Sequence, residues 1–496
     1  MGPFSWKRTD ESFVGCLADR APAYARHPPI EAVVFGWGVN EDCQLGLDED
    51  RDQLTPKVVD SLLGTQLSGR GFCIEPIVTG SRGTLAIGAD GQLWSWGWNA
   101  RGTLGHGHRD NVPKPSMVEG LEHVRVVQAA IGGWHSICVT DQGQMYAFGG
   151  NEYGQCGSED LEGDVIVPRP IMEGIKVKQV SAGGMHSIAL TDSGQVLMWG
   201  ERWGDFSLVV QRHPSYLPGI KNIAKISAGA FHNLALTRDG EVLSWGTNDF
   251  GQLGIGTTEY ATDPVSVWDL EKEIADVVAG GWHSLAINKD GEVLTWGRGE
   301  YGRLGVGDRS GSVKLRPCHV VDMSNHFVVQ ASCGGTHTML LTDQGRMFVT
   351  GRGSFGRLGI GMKDHYAPVE VELPGGKDKW KVVSVAAGGR HSLCLAVPHG
   401  RKDRNPITVY QPQLDRRDTG STGSLADRED GEFDDNGDGC ELPGDHSVGS
   451  PESPSAGSLV SWSRWAAAVY NCWRGLLRLF PRRQFGCTSR TEAPEF

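Results

Sequence analysis

The sequence predicts an all-β protein, a seven-bladed β-propeller, and three observations support this fold class. A unit of roughly 50 residues recurs along most of the 496-residue chain, as in propellers built from repeated four-stranded blades. Each unit contains short apolar runs separated by turn residues. The chain also begins with the second half of a unit and ends its repeats on a first half.

An anchor histidine, placed at the start of an apolar run, fixes the register of the repeat. Residues 132–157 read GGWHSICVTDQGQMYAFGGNEYGQCG, and residues 280–305 read GGWHSLAINKDGEVLTWGRGEYGRLG. The anchor histidines are His135, His186, His232, His283, His337 and His391. An earlier copy has Gly83 at the anchor place, which makes seven copies. The 70 glycines of the chain, about twice the usual share, suit a fold with many tight turns.

Each unit is expected to form four short strands. The runs 187–191 and 195–199 flank Ser193-Gly194, and other copies carry Asp-Gly at this place, for example Asp239-Gly240. Asp-Gly predicts a type I′ hairpin turn, since both central residues of that turn need positive φ. A Gly-x-Leu-Gly step, a loop that contains proline and a further apolar run such as residues 277–279 complete the unit.

One copy departs from this pattern. Residues 200–218 lack the Gly-Gln-Leu-Gly step, and the spacing between the anchors on either side falls to 46 residues. We interpret this difference as drift of a surface loop.

The two ends of the repeat region are expected to share one blade. The last copy has the run that follows His391 but no Trp-Gly step after it, whereas the chain begins with an unpartnered Trp37-Gly38 step. The N-terminal strands should therefore complete the seventh blade beside residues 380–397. Closing the ring in this way removes two exposed sheet edges.

The repeated pattern GGxHSxALTxxGxVxxWGxNxxGQLG resembles the regulator of chromosome condensation repeat, over roughly residues 31–398. Two units with GRGxxGRLG, at 297–305 and 351–359, resemble the plant members of this family, a group that includes the UV-B photoreceptor. The resemblance implies a propeller of repeats of this type. A fold of this kind carries many functions, so function has to be argued from the site.

The resemblance implies one alternative function, guanine nucleotide exchange. The namesake of the family catalyses GDP release from the Ran GTPase and uses a protruding hairpin wedge. The spacings between the anchor histidines leave no insertion of that size, and the longest stretch between copies is residues 47–79. A small GTPase as partner is therefore kept as an alternative to other protein partners.

The resemblance implies a second alternative, UV-B sensing. In the photoreceptors the sensing tryptophans lie two places before the histidine, in Gly-Trp-Arg-His-Thr motifs. The residues at that place here are Gly133, Gly184, Ala230, Gly281, Gly335 and Gly389. The sensing motif is not matched.

Composition and motifs exclude several other classes. A net charge of −13 argues against general binding of nucleic acid. The 11 cysteines include no CxxC pair and suit free thiols in a reducing compartment, so we expect a cytoplasmic or nuclear location, or both. No secretory leader and no apolar stretch of membrane-spanning length is found. Neither GxGxxG match, at 297–302 or 351–356, leads into a helix, so no nucleotide cofactor is expected. No metal site is expected either, since no CxxC pair occurs.

The candidate binding surface lies beside the anchors. The residue before each anchor varies in type within a fixed frame, as is typical of loop ends that carry recognition. Aromatic and arginine residues there would suit a protein interface, or would pack between the blades. The candidate partner-binding residues are Trp134, Phe231, Trp282, Arg298, Arg352 and Arg390. The anchor histidines themselves are expected to be structural and to hydrogen-bond the backbone of the blades, with no catalytic role.

The domain organisation is predicted as an N-terminal extension (1–30), the propeller (31–398), an acidic disordered linker (399–457), a basic amphipathic helix (458–482) and a tail (483–496). The helix is indicated by apolar residues at three- or four-residue spacing with interspersed arginines; these apolar residues are Trp462, Trp465, Val469, Trp473, Leu476 and Phe480. Its candidate contact residues are Trp462, Trp465, Trp473, Arg474 and Arg478. Such a helix suits a membrane surface, a partner groove or the propeller itself.

The absence of a catalytic constellation in the sequence leads to one main hypothesis. The chain is expected to be a non-enzymatic interaction scaffold, with a regulatory or signalling role, that binds a protein partner on one face of its propeller. The oligomeric state is left open.

Overall fold

The computed structural model describes residues 32–63, 67, 75–157, 163–203, 208–270 and 273–400. The predicted N-terminal extension, the amphipathic helix, the tail and almost all of the linker lie outside these residues. Within them, no helix has the length and apolar character needed to cross a membrane.

The described chain is an all-β ring of seven antiparallel four-stranded sheets, which confirms the predicted seven-bladed propeller. The chain starts with β1 (Val33–Gly38) and β2 (Gln53–Val58). Blade 1 contains β3 (Ile77–Thr79), β4 (Gly83–Ile87), β5 (Leu93–Gly97) and β6 (Val112–Met117). Blade 2 contains β7 (Val126–Ile131), β8 (His135–Thr140), β9 (Met145–Gly149) and β10 (Val165–Ile171). Blade 3 contains β11 (Val177–Ala182), β12 (His186–Thr191), β13 (Val196–Trp203) and β14 (Leu208–Tyr216).

The remaining strands follow the same order. Blade 4 contains β15 (Ile223–Ala228), β16 (His232–Thr237), β17 (Val242–Gly246) and β18 (Ala261–Ser266). Blade 5 contains β19 (Ile274–Ala279), β20 (His283–Asn288), β21 (Val293–Gly297) and β22 (Lys314–His319). Blade 6 contains β23 (Val328–Cys333), β24 (His337–Thr342), β25 (Met347–Gly351) and β26 (His365–Glu370). The chain returns with β27 (Trp380–Ala387) and β28 (His391–Pro398), and single 3-10 turns lie at Asp60–Leu62, Glu300–Gly302 and Ser354–Gly356.

The seventh blade is shared between the two ends of the repeat region, as predicted. Its strand order is β2-β1-β28-β27. In the pairing of β1 with β28, Val33 lies opposite Ala396 and Trp37 lies opposite Ser392. The ring is thus closed by strand pairing between chain segments more than 300 residues apart in sequence.

A ring of backbone hydrogen bonds also links the blades, at the mouth of the central channel. Seven N–H···O bonds of 3.0–3.2 Å join each described pair of neighbouring blades: Ser81 to Gly132, Gly133 to Gly183, Gly184 to Ala230, Ala230 to Gly280, Gly281 to Gly334, Gly335 to Gly388 and Gly389 to Gly80. Close approach of the loops explains the glycines, because a Cβ on Gly132 would lie 2.0 Å from the carbonyl oxygen of Gly183.

The hairpins within the blades differ from the predicted type I′ turns. Gly240 has a φ of +88°, but Asp239 before it does not have positive φ. Gly240 donates its N–H to the carbonyl of Thr237 at 3.1 Å, and Thr237 donates to the carbonyl of Glu241 at 2.9 Å. This is a three-residue loop, in which a type I turn precedes a left-handed glycine. The Asp-Gly prediction was wrong because the loop is one residue longer than a type I′ hairpin.

Buried tryptophans tie neighbouring blades together through their indole N–H groups. Trp37 donates to the carbonyl of Arg357 at 3.0 Å, and Trp96 to that of Gln44 at 3.0 Å. Trp199 donates to the carbonyl of Gln155 at 2.8 Å, and Trp296 to that of Gln252 at 2.9 Å. Each of these carbonyls belongs to the Gly-x-Leu-Gly step of the preceding blade, or to its Cys43-Gln44-Leu45-Gly46 and Gly154-Gln155-Cys156-Gly157 variants. The step is therefore an inter-blade contact.

Candidate protein-interaction face

Two loops of every blade emerge on the same face of the ring. One connects the first strand to the second and carries the residue before the anchor; the other connects the third strand to the fourth and follows the aromatic-Gly step. Because neighbouring strands of a blade run antiparallel, these two loops share one end of the sheet. We call the surface formed by these loops the loop face.

Backbone hydrogen bonds join the two loops of a blade on the loop face. Arg298 donates its backbone N–H to the carbonyl of Trp282 at 3.0 Å, and Arg352 donates to that of Thr336 at 3.0 Å. Arg390 accepts in the same way from Val39, at 3.1 Å. These bonds hold both loops of a blade in a fixed relation, so the side chains rest on a rigid frame.

An aromatic and guanidinium cluster spans blades 4 and 5. The rings of Phe231 and Trp282 lie 4.7 Å apart between centroids, and Phe250 meets Trp282 edge-on at 5.3 Å. The Arg298 guanidinium lies over the Phe250 ring at 4.4 Å. All four side chains are half-buried. Stacking therefore fixes their positions, while part of each side chain faces solvent.

The same arrangement recurs at other blade junctions. Arg352 lies over Tyr301 at 4.5 Å, and Arg390 over Phe355 at 5.8 Å. Trp134 in blade 2 lies under Arg101 of blade 1 at 5.1 Å. Every predicted partner-binding residue is thus half-buried in a contact across a blade junction.

Sequence reasoning missed the partners in these contacts. Arg101, Phe250, Tyr301 and Phe355 all occupy one repeat position, directly before the first glycine of the Gly-x-Leu-Gly step. The signal that could have found them is the recurrence of large side chains at that position.

Sequence reasoning also missed two arginines buried beneath the face, Arg303 and Arg357, which are 1% and 0% exposed. Arg303 donates from Nε to the carbonyl of Glu300 at 3.1 Å and from Nη1 to that of Gly335 at 3.2 Å. Burial, followed by the charge of Arg298, lowers the pKa of Arg303 to about 9.

Several guanidiniums lie near one another in this sector, blades 5 to 7. Burial, followed by the charges of Arg352 and Arg390, lowers the pKa of Arg357 to about 9, whereas the charge of Asp364 raises it. Acidic groups are present as well, since Arg298 forms an ion pair with Glu300 at 2.6 Å. The sector therefore combines arginines with acidic side chains.

The anchor histidines lie inside the ring and clamp neighbouring blades. Nε2 of each lies near a hydroxyl or amide oxygen of the next blade: His135 with Ser187 (2.7 Å), His186 with Asn233 (2.8 Å), His232 with Ser284 (2.8 Å), His283 with Thr338 (2.9 Å), His337 with Ser392 (2.8 Å) and His391 with Thr84 (3.4 Å). Each hydroxyl in turn donates a hydrogen bond to a backbone carbonyl; for example, Ser284 donates to that of Gln252 at 2.7 Å. The expected bond from histidine to backbone is therefore indirect, through a side chain.

The protonation state of these histidines follows from that relay. Since the Ser284 hydroxyl donates to a carbonyl, it accepts from His232, whose proton is therefore on Nε2. Nδ1 of His232 has no hydrogen-bond partner in the described part of the chain. Burial, with His186 near two of them and Arg357 near the third, lowers the pKa of His135, His232 and His391 to about 3. Neutral, enclosed imidazoles of this kind are suited to structure.

The described residues contain no group of three or more side chains with metal-ligand chemistry. Aromatic rings and guanidiniums held on a rigid frame can bind another surface by stacking and by charge-assisted hydrogen bonds.

Comparisons with known proteins agree with this architecture. The model of the RCC1-like domain matches residues 33–394. The ultraviolet-B receptor UVR8 of Arabidopsis thaliana is 33% identical over 368 residues, which cover 73% of this chain and 70% of that protein. The solved structure of human WBSCR16 has a TM-score of 0.63 at 25% identity and covers 74% of this chain and 99% of that chain.

The solved structure of Prp20p from Saccharomyces cerevisiae, described with its binding to Gsp1p and histones, has a TM-score of 0.65 at 22% identity. It covers 78% of this chain and 96% of that chain. The resemblance predicted from the repeat, plant members included, is confirmed. The seven sheets, the repeat and the match over residues 33–394 place the chain in the family of RCC1-like domain proteins.

Proposed function

We propose that the chain is a non-enzymatic scaffold that binds a protein partner on the loop face of its propeller. The observation that carries the proposal is the series of aromatic and arginine contacts across the blade junctions, each half exposed and each held by backbone hydrogen bonds. Tryptophan and arginine are the side chains that most often dominate binding energy in protein interfaces. A frame that is already rigid loses little entropy on binding.

The chemistry of the partner follows from the charges of the face. The sector of blades 5 to 7 carries Arg298, Arg352 and Arg390, so acidic groups on a partner would suit it. At Arg298 such a group would compete with Glu300, which forms an ion pair with it at 2.6 Å. Stacking surfaces at Trp134 and at Trp282 flank this sector and suit aromatic or aliphatic side chains.

The test is capture of partners from an extract of the protein's own cells, using the full chain and the double variant Trp134→Ala/Trp282→Ala. We expect the double variant to lose the captured partner at least about tenfold, since each truncated aromatic costs more than about 1 kcal/mol at a binding hot spot. The matched control is Tyr216→Ala, which removes an exposed aromatic at the opposite end of blade 3 and should leave capture unchanged. Full retention by the double variant would assign binding to another surface.

The same experiment separates the alternative functions. Capture of a small GTPase without nucleotide, with release on adding GTP and faster GDP dissociation in vitro, would make the chain an exchange factor instead. A change in oligomer size on UV-B irradiation would make it a photoreceptor; the ring glycines at the place of the sensing tryptophans favour neither absorption nor a switch there.

We further propose that the chain works in the cytoplasm, the nucleus or both. The described cysteines Cys43, Cys138, Cys156, Cys318, Cys333 and Cys394 are free thiols, which suits a reducing compartment. Imaging of the tagged full chain tests this, and secretion or organelle import would contradict it.

The C-terminal segment is proposed to tether or regulate the scaffold. Flotation of residues 458–496 with anionic liposomes separates membrane contact from protein contact. Partners captured by the full chain and lost from residues 1–400 would assign recognition to this segment.

A further inference from the structure

The junction between blades 3 and 4 is built differently from the other tryptophan-bearing junctions. Blade 3 lacks the Gly-x-Leu-Gly step, so the carbonyl that should receive the Trp245 indole is missing. Trp245 donates instead to the sulfur of Met198 at 3.4 Å. Asn233 replaces the serine or threonine that elsewhere donates to the same carbonyl, and it contacts His186 at 2.8 Å.

A small cavity of about 10 Å³ lies at this junction, beside Asn233 and Trp245. At the junction of blades 4 and 5, the equivalent pair, Ser284 and Trp296, shares the carbonyl of Gln252. The cavity therefore lies beside the two side chains, Asn233 and Trp245, whose counterparts in the next blade share that carbonyl. A space of this volume holds one group of the size of a water molecule.

A buried carboxylic acid lines the cavity. Glu201 is 8% exposed, and none of the described residues forms an ion pair or side-chain hydrogen bond with its carboxyl group. Burial raises the pKa of this carboxyl to about 7. The other six copies carry valine, tryptophan, glycine, threonine or arginine at this place, so blade 3 alone has an acid there.

The other charged or titratable groups around the cavity do not neutralise this carboxylate. Arg202 is directed to the carbonyl of Thr262 and to the carboxylate of Asp263, at 3.4 Å each. Burial lowers the pKa of His186, which is neutral as a result. The half-buried Phe231 supplies an aromatic wall that is part of the loop face.

We propose that this cavity binds a primary ammonium group, presented by a lysine side chain of the protein that binds the loop face. An ammonium is a compact charge with three donors, whereas a planar guanidinium exceeds one water in size. The Glu201 carboxylate supplies the opposite charge, and the Phe231 ring attracts a cation over its face. The proposal rests on the proposed function, since the lysine belongs to the partner of that face.

The first test uses n-butylammonium chloride as the probe and thermal unfolding of the full chain as the readout. At pH 8, where Glu201 is ionised, the wild type should gain about 2 °C at roughly tenfold the dissociation constant, relative to sodium chloride at equal ionic strength. N-butylguanidinium should have no comparable effect. The gain should shrink at pH 6, where Glu201 is protonated and the alkylammonium is still charged.

Variants decide whether the effect belongs to the cavity. Glu201→Gln should abolish the gain. Asp249→Asn, the matched control, removes another acid of the loop face whose pKa burial raises and should keep it. An equal response of all three proteins, or no response of the wild type, would overturn the site.

Partner capture then decides the source of the ammonium. Glu201→Gln should weaken capture about tenfold or more at pH 8, and n-butylammonium should compete with the partner. Capture that is lost in Trp134→Ala/Trp282→Ala but undiminished in Glu201→Gln would leave the proposed function standing and overturn the lysine site. Probe binding that depends on Glu201 and does not affect capture would assign the cavity to a free amine, against the proposal.

Discussion

Acidification is expected to unfold the propeller, because its six anchor histidines are buried in neutral form. Each donates Nε2–H, or contacts an oxygen through Nε2, across a blade junction. In five of the six, the described residues offer no hydrogen-bond acceptor for Nδ1. Protonation at Nδ1 would therefore place an imidazolium cation in a buried position with no acceptor for its new proton. Folding therefore lowers these pKa values below the value of about 6.5 in the unfolded chain.

The sign and size follow from the proton balance. Since the folded pKa is the lower one, the stability is fully present above pH 6.5 and is lost as the pH falls from 6.5 towards 3. Each histidine removes about 1.4 kcal/mol per pH unit in that window. His135, His232 and His391, with pKa values of about 3, together cost about 6 kcal/mol at pH 5. A domain is typically stable by about 5–15 kcal/mol, so with the other three the midpoint should lie near pH 5.

Carboxyl groups with raised pKa values oppose this effect. The pKa of Glu201 is raised to about 7, so its protonation stabilises the folded state as the pH falls through 7. Burial also raises the pKa of other carboxyls, such as Asp42 and Asp249, whereas hydrogen bonds from Arg346 lower that of Glu370 to about 2. The histidines dominate between pH 6.5 and 5, because the usual pKa of a carboxyl lies near 4.

The assay is guanidinium chloride unfolding, followed by tryptophan fluorescence at pH 7.5, 6.5 and 5.5. We expect the free energy of unfolding to fall steeply below pH 6.5. His232→Gln retains an N–H donor for Ser284 and should reduce the slope by about 1.4 kcal/mol per pH unit, whereas His319→Gln, at an exposed position, should not. A free energy that stays constant from pH 7.5 to 5.5, or a slope unaffected by His232→Gln, would refute the argument.

Two further predictions concern contacts between the blades. Trp245→Phe should destabilise by about 1 kcal/mol less than Trp296→Phe, because the first indole donates to a sulfur and the second to a carbonyl; equal shifts in the denaturation midpoint would contradict this. Gly132→Ala should cost about 3 kcal/mol, since its Cβ would lie 2.0 Å from the Gly183 carbonyl oxygen. A melting temperature equal to that of the wild type would show that the ring at the channel mouth can widen.

The fold was predictable because its information is local and repeated. An anchor, a hairpin and a Trp-Gly step recur at nearly constant spacing, and a unit that cannot bury both faces alone has to stack against copies of itself. The half units at the two ends then required the pairing of β1 with β28. The turn type was missed because one residue of loop length separates a type I′ turn from a type I turn with a left-handed glycine at Gly240.

The candidate site was predictable only in part. The variable place before the anchor led to Trp134, Phe231 and Trp282, and the structure places these side chains on one face. Their partners, such as Phe250 beside Trp282 and Arg101 beside Trp134, come from the neighbouring blade. The spacing within one unit does not show which residues meet across a blade junction.

By itself the sequence determined the number of blades, the shared seventh blade and the positions of the anchors, since each follows from how one pattern recurs along the chain. Only the tertiary structure decided what lies between repeats: the histidine relay, the buried Arg303 and Arg357, and the cavity beside Glu201. The physical reason is that burial and the fields of neighbouring charges depend on distances across blade junctions. The sequence alone identifies residues 200–218 as a departure from the repeat, whereas only the tertiary structure shows the cavity beside the buried carboxyl group of Glu201.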